Sequence, residues 1–524
     1  MPHYIPYDPK QSKLVVIHYA DQLQPGTFEF AINHLIDNKL DISIFHARYN
    51  NEEGGRPAYD PAILLKIILF AYSKGITSSR EIQWSCETNI IFKALSCDSV
   101  PHFTSIAGFV SGCPQEIEAL FEQVLLVCHQ QGLLGNELFA IDGCKMPSNA
   151  AKEGSGTFKE LDAKRAKIKR QIQHHLKEHA RLDAQVSRED ERLQRIKQTL
   201  ETLDHAHARI DTFLKTARPR RGRGKQAKEV KSNITDNESA KMTTSKGTIQ
   251  GYTGVAAVDK KHQVIVDAQA SGEGQEHHVL QPVLNTIQTR YQRLGIRDNV
   301  YHDGAIVTAD TGYANEANLK YLHDNGIDGY IPDNQFRSRD PKFKDYKTTH
   351  STRPATTIQE TTTDPVIPAS EFQFDPVTKT CTCPAGEAMG LRSELIDKLG
   401  HAKMFFEGRL TKCRACHLKQ ECLRNPDSPP TRKGHGRQVS FIIAKNQRGP
   451  NYTDWMRHRI ESEHGKHIYS HRMSVVEPVF ANIGTNKGLR RFSLRGKTKV
   501  QGQWQWYCLV HNIEKLKNYG ALAA

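Results

Sequence analysis

The chain has no long apolar run. Its longest, such as residues 62–72, AILLKIILFAY, are short and carry a lysine, far from the roughly 20 apolar residues of a membrane helix. The first residues, MPHYIPYDPKQSK, contain no apolar core, which argues against a secretory signal and makes the cytoplasm the expected compartment. A disulfide framework is also missing. The 11 cysteines are odd in number and spread over a long chain, and those at 381, 383, 413, 416 and 422 crowd together in a way that points to metal instead. Acids, finally, are absent from Pro478 to Ile513. That stretch collects Lys487, Arg490, Arg491, Arg495, Lys497 and Lys499, and just before it stand Tyr469, Arg472 and a single carboxylate, Glu477. One acid facing a run of cations suggests a metal and a polyanion.

What is present fits a soluble globular protein: 524 residues, 38% hydrophobic, with a mean hydropathy of -0.59. The usual domain size gives about three or more domains. Net charge is +14, from 72 basic and 58 acidic residues, and the clustering of the cations favours a phosphate backbone over mere basicity. An anionic membrane surface is the weaker alternative, because no basic stretch is paired with an apolar helical face.

Residues 1–130 read as short helices joined by tight turns. GRPAYDP sets up a helix over AILLKIILFAYSKG, Ser78 or Ser79 caps EIQWSCETNIIFKAL, PHFTSI introduces a third, and Pro114 starts a fourth that runs to Gln130. A helix-turn-helix-like DNA-binding bundle and an ordinary dimerisation bundle both fit. LFAIDGCK, 138–145, is then an apolar strand ending in Asp142, which is either a strand-capping turn residue or a site residue at a sheet edge. Residues 158–216 carry apolar positions at spacings of 3, 4 and 7 with a slip between 176 and 182, the pattern of a coiled-coil seam or a helical hairpin. A basic tether follows, with Arg220, Arg221 and Arg223, read equally as a solvated linker or a DNA contact.

The sheet resumes with strands over 248–259 and 263–268. A helix from Glu276 to Leu294 follows, then a strand ending in Asp310, a helix capped by Asn315 and a last strand near Tyr330. Further on, Cys383, Cys413, Cys416 and Cys422, with Cys381 able to substitute, have the spacing of a tetrahedral structural zinc site. Asp142, Asp310 and Glu477 considered together would bring three carboxylates to one sheet edge. Such a set supplies oxygen ligands for two Mg²⁺ ions, with Mn²⁺ able to substitute, for phosphoryl transfer without a side-chain nucleophile. Glu477 has a rival reading, since Ser474-Val475-Val476-Glu477 matches a capping box that would start a helix at Val475.

These blocks resemble the DDE transposases of bacterial insertion sequences, in the group with Tyr-x2-Arg before the glutamate. The resemblance rests on GRPAYDP and PHFTSI, IDGCKMPSNAAK, TADTGYANEANLKYL, the Cys-rich insertion, and YSHRMSVVEPVFANIGTNKGLRRFSLRGK with CLVHNIEKL. It implies Asp142, Asp310 and Glu477 as the metal-binding triad, with Tyr469 and Arg472 assisting at the DNA. Where the group has a lysine seven residues after the glutamate, this chain has Gly484, and Lys487 is the substitute.

The expected fold is an α/β RNase H-like core, a mixed sheet with helices, interrupted by two insertions. Its layout is an N-terminal helical DNA-binding or dimerisation domain at 1–132, core at 133–157, a coiled-coil insertion with basic tether at 158–232, core at 233–333, a Cys-rich zinc-binding insertion at 334–452, and a C-terminal helical part at 453–524. The expected function is an Mg²⁺-dependent transposase that binds terminal inverted repeats, cuts DNA with metal-activated water and joins 3′-hydroxyl ends to target DNA. It would act at the nucleoid as a homodimer or higher oligomer on double-stranded DNA. A catalytically inactive or repurposed DNA-binding protein, and a nuclease without strand transfer, are the alternatives.

Overall fold

A computed structural model of the protein describes residues 16–49, 54, 57–183, 190–222, 228–245, 247–339, 366–396, 401–423, 425–427, 434–444 and 451–522. The described chain divides into two units, one made of the residues up to Asn334 with those from Tyr452 on, the other of Gln335–Asn451.

The first unit begins with helices α1 (Phe28–Asn38), α2 (Pro61–Ser73), α3 (Ser79–Thr88), α4 (Ile90–Ser96), α5 (Phe103–Gly112) and α6 (Pro114–Gln130). Asp60 starts α2 by accepting the Ala62 N–H at 2.8 Å, with Pro61 in the first turn where its missing N–H costs little. Leu64 to Tyr72 are all buried, including Lys66, which reaches Asp37 at 2.7 Å. The single helix expected over 81–95 is broken. Asn89 takes an extended backbone and its side chain accepts from the N–H groups of Ile91 and Phe92, ending α3 and capping α4.

Six strands form one mixed sheet: β1 (Leu138–Pro147), β2 (Ala240–Thr244), β3 (Gly247–Asp259), β4 (Ile265–Ser271), β5 (Ile306–Ala309) and β6 (Asp328–Tyr330). The order across it is β4-β3-β1-β5-β6, and β2 pairs with the earlier part of β3 beside β4. β3 is antiparallel to β1, β2 and β4, whereas β5 and β6 run parallel to β1. This order is compatible with an RNase H-like core. Between β1 and β2 lie α7 (Phe158–Asp183) and α8 (Asp190–Thr216). Leu161 and Ile168 of α7 meet Ile210 of α8, with Ile172, Leu203 and Phe213 around them, so the start of one helix lies by the end of the other. This is the hairpin alternative, not a continuous coiled coil.

Five more helices complete the unit: α9 (Leu280–Arg293), α10 (Glu316–Asp324), α11 (Tyr452–Glu461), α12 (Glu463–Ala481) and α13 (Lys497–Tyr519). α12 packs on β1, β3 and β5; α13 packs on β4 and also on α1, α2, α5 and α6. Because α13 is shared by the sheet and the N-terminal bundle, it is buried on every side, with Trp504, Trp506 and Tyr507 fully enclosed. Each such aromatic side chain hides roughly 200 Å², which is worth about 5 kcal/mol at ~25 cal/mol per Å². Arg290 of α9 adds a polar tie, donating to Asp267 at 2.6 Å and to Glu122 of α6 at 3.1 Å.

The second unit is an antiparallel sheet of β7 (Gln373–Asp375), β8 (Thr380–Thr382), β9 (Ala388–Ile396), β10 (Ala402–Glu407) and β11 (Gln438–Ala444), paired in chain order. Phe372, Cys381, Met389, Met404, Phe406 and Val439 form its core.

Candidate active site

β1 and β5 run in parallel register, and their last paired residues are Ile141 and Ala309. Asp142 and Asp310 come next, one on each strand. At that point β5 ends, while β1 continues to Pro147 against β3 alone. The expectation that Asp142 ends its strand is therefore corrected: it is mid-strand, at the place where one neighbour leaves. Adjacent strands are about 4.8 Å apart, so the two carboxylates are neighbours that need a cation or a proton between them.

The cation is Arg472 of α12. Its Nη1 donates to Asp142 Oδ2 at 2.7 Å and its Nη2 lies 3.6 Å from Asp310 Oδ1. Arg472 is 5% exposed, and its Nε is buried without a partner. One turn earlier on the helix, the Tyr469 ring centre lies 5.8 Å from its guanidinium carbon. Burial pushes the Asp142 carboxyl above the usual range, and the guanidinium of Arg472 and the Gly143 N–H at 2.8 Å pull against it. Residue 143 has to be glycine, since a Cβ there would sit 2.7 Å from Thr253 Cγ2 and 3.3 Å from the Tyr313 hydroxyl.

Glu477 lies well inside α12. The helix is capped by Ser462, whose hydroxyl accepts the Gly465 N–H at 3.0 Å, and the Ser474 hydroxyl donates back to the His471 carbonyl at 2.8 Å. The helix-cap reading of Glu477 is thereby overturned. Pro478 interrupts the helix ladder at the Ser474 carbonyl, and Gln263 Nε2 takes that place at 3.0 Å. Glu477 is exposed, and its charge acts on Cys144, which shares a strand face with Asp142 two residues away.

Among the described residues no three His, Cys, Asp or Glu side chains are gathered closely enough to hold a metal ion. At the Asp142–Asp310 pair the positive charge comes instead from Arg472. Two neighbours escaped the sequence reading. Glu276 pairs with Lys145 at 3.3 Å, and the fully buried Tyr313 has a hydroxyl without a partner. Neither belongs to a motif; the only signal was their closeness in sequence to β4 and to Asp310.

The expected DNA-binding residues are divided by burial. Arg490, Arg491, Arg495, Lys497 and Lys499 are exposed. Arg491 Nε donates to the Ser148 carbonyl at 3.2 Å and Arg495 Nε to the Asn149 carbonyl at 2.9 Å, which fixes the basic segment to the loop just after β1. Lys487 is placed differently: it is 1% exposed and its Nζ donates to Glu514 at 2.8 Å. A Cβ on Gly484 would meet nothing within 4 Å, so a side chain there has room. Arg220 is half-buried and donates to the carbonyls of Lys231 and Ser239, both at 3.2 Å, whereas Arg221 is exposed and Arg223 lies outside the described residues.

In the second unit, Cys383, Cys413, Cys416 and Cys422 line one pocket. Burial raises the Cys422 thiol above its ordinary range, opposed by Arg437 and reinforced by the other three sulfurs. The expected tetrahedral zinc set is nevertheless not formed among the described residues. Cys383 and Cys422 pack against the apolar core, and Cys381 is 2% exposed within it, 3.9 Å from the Met389 sulfur. The thiols are used here as small apolar groups.

Two family models match the chain. One, described as a transposase DDE domain, covers residues 382–517 and so includes Tyr469, Arg472 and Glu477; the other, described as a transposase domain (DUF772), covers 18–112. No curated protein and no solved structure matches. The two matches place the chain among the DDE transposases, enzymes that act on DNA and generally use divalent metal ions. Within that class it is an insertion-sequence DDE transposase. No described helix is long and apolar enough to cross a membrane.

Proposed function

We propose that the protein binds the terminal inverted repeats of its own element, cleaves the strand at the element's end with water, and joins the freed 3′-hydroxyl to target DNA. The observation that carries this is the pairing of Asp142 and Asp310 at the point where β5 leaves β1, with Arg472 held between them. A pair of carboxylates that binds one buried guanidinium is a built site for positive charge. Its oxygen donors suit Mg²⁺ or Mn²⁺, and the partnerless Arg472 Nε and Tyr313 hydroxyl mark polar capacity not used within the protein. Asp142, Asp310 and Glu477 are the residues that would hold such ions. Divalent ions there supply activation of the attacking oxygen and stabilisation of the leaving one.

The chain's own residues do the rest. Arg472 neutralises the aspartates in the resting protein. Once their charge is met otherwise, its guanidinium and the Tyr469 hydroxyl are in place to bind a DNA phosphate beside the site. Arg490, Arg491, Arg495, Lys497 and Lys499 hold the duplex backbone beyond the end of β1, where counterion release makes binding salt-dependent. Two DNA ends must be cut together, so the complex is at least a homodimer. Incubating the protein with terminal-repeat DNA, target plasmid and Mg²⁺ tests the reading. Strand-transfer joints are expected; cleaved ends without joints would indicate a nuclease, and binding without cleavage a repurposed DNA-binding protein.

A further inference from the structure

β4 is followed not by a continuous helix from Glu276, as the sequence suggested, but by a 3-10 turn, Glu276–His278, with α9 starting at Leu280. This turn packs against a second 3-10 turn, Thr311–Tyr313, which directly follows Asp310. The Glu276 carboxylate lies over Gly312, with Oε2 only 2.5 Å from where a Cβ would be. Any larger residue at 312 would displace the carboxylate. Its Oε1 is 3.3 Å from Lys145 Nζ, three residues past Asp142 on β1, and the Glu276 side chain is 14% exposed. The charge of Glu276 interacts with those of both Asp142 and Asp310.

An independent observation lies at the same place. Tyr313 is fully buried, its hydroxyl has no partner, and that hydroxyl is 3.3 Å from where a Cβ on Gly143 would be, beside Asp142. A buried hydroxyl left unsatisfied costs about 1–3 kcal/mol, so a site that keeps one among three carboxylates is completed by something the protein itself does not provide. An ordinary structural ion pair between Lys145 and Glu276 would explain neither this hydroxyl nor the crowding of a third acid against two others.

We propose that Glu276 is a fourth carboxylate of the catalytic centre, held by Lys145 in the resting protein and contributing negative charge and oxygen donors for divalent ions at the Asp142–Asp310 pair. The inference rests on the active-site reading above. Lys145 is its counter-ion and Tyr313 a hydroxyl available to the hydration shell of whatever binds there.

The test is Mn²⁺ titration of the full-length protein without DNA, by calorimetry and by thermal shift, on Glu276→Gln, Glu276→Asp, Lys145→Met and Asp142→Asn. Glu276→Gln should weaken Mn²⁺ binding about 10-fold or more, the scale seen when a residue supporting a metal site is removed. Glu276→Asp should recover most of that loss. Lys145→Met, which leaves the carboxylate without its counter-ion, should tighten binding several-fold, and it keeps the question open to test if Glu276→Gln does not fold. Equal Mn²⁺ affinity in wild type and Glu276→Gln, or weaker binding in Lys145→Met, overturns the fourth-acid role while leaving Asp142 and Asp310 intact. If Asp142→Asn binds Mn²⁺ as wild type does, the active-site reading itself fails and Glu276 falls with it.

Discussion

Replacing Arg472 with methionine removes the cation that the structure places between Asp142 and Asp310, at 2.7 and 3.6 Å. Unit charges about 4 Å apart attract by about 4 kcal/mol at an effective dielectric of ~20. Asp142 is 17% exposed and so keeps most of that attraction, whereas Asp310 is 39% exposed and its share is largely screened. The metal-free variant should therefore lose about 3 kcal/mol, within the range for breaking a buried pair on one side. Divalent ions would then meet two carboxylates without a guanidinium in competition. If most of that 3 kcal/mol is returned on binding, Mn²⁺ affinity rises by up to about 100-fold, since ~1.4 kcal/mol is tenfold. Urea unfolding with and without Mn²⁺, together with calorimetric titration, measures both effects. Arg472→Lys should fall between, keeping the charge but not the fork that reaches both acids. A methionine variant as stable as wild type without metal, with the same Mn²⁺ affinity, would refute the idea that Arg472 neutralises the pair.

His511 gives a pH prediction. It is 1% exposed, with Nε2 2.9 Å from the Gln263 carbonyl and Nδ1 3.2 Å from Asn482 Nδ2. A neutral ring satisfies both contacts, and burial pushes its pKa down to about 3 from 6.5. The unfolded chain then binds the extra proton first. Stability from this group is present above about pH 6.5 and is lost as pH falls toward 3, by about 3 kcal/mol between pH 7 and 4.5. Denaturant unfolding at the two pH values should show that drop in wild type and a much smaller one in His511→Gln; equal drops would contradict it. Trp504→Ala removes a fully buried ring whose Nε1 donates to the Val255 carbonyl at 2.9 Å, and should cost about 3–5 kcal/mol by the same measurement. A loss below about 1 kcal/mol would mean that α13 is not the shared core of sheet and bundle.

Local chemistry made much of the molecule legible in the sequence. The Asp60-Pro61 start of α2 and the Asn315 cap of α10 are short-range signals, and both are made in the structure as read, Asn315 accepting the Asn318 N–H at 2.7 Å. The failures have equally definite causes. The apolar run of β1 stops at Ile141 because burial stops there, whereas hydrogen bonding to β3 carries the strand on to Pro147. Apolar pattern reports burial, not pairing. The Ser474-to-Glu477 pattern imitates a helix start, yet the packing of Ile468, Arg472, Val475 and Val479 continues through it from the true cap at Ser462. Lys487 was one of several exposed-looking cations, and only the fold shows it buried against Glu514. Glu276 could not be found from spacing, because what brings it to Asp310 is the contact between two turns about 35 residues apart in sequence. The cysteines had zinc spacing, but spacing does not fix which way a thiol turns once an apolar core is available to it.

The central claim is that Asp142, Asp310 and Glu477 form one metal-dependent centre for DNA cleavage, and the most direct measurement is strand cleavage of terminal-repeat DNA in Mg²⁺ by Asp142→Asn, Asp310→Asn and Glu477→Gln. Each folded variant should still bind the DNA and lose cleavage by at least about 1,000-fold, as removal of a group acting on the reacting atoms does. Cleavage that persists near the wild-type rate in any one of the three would remove that residue from the centre, and persistence in all three would contradict the account.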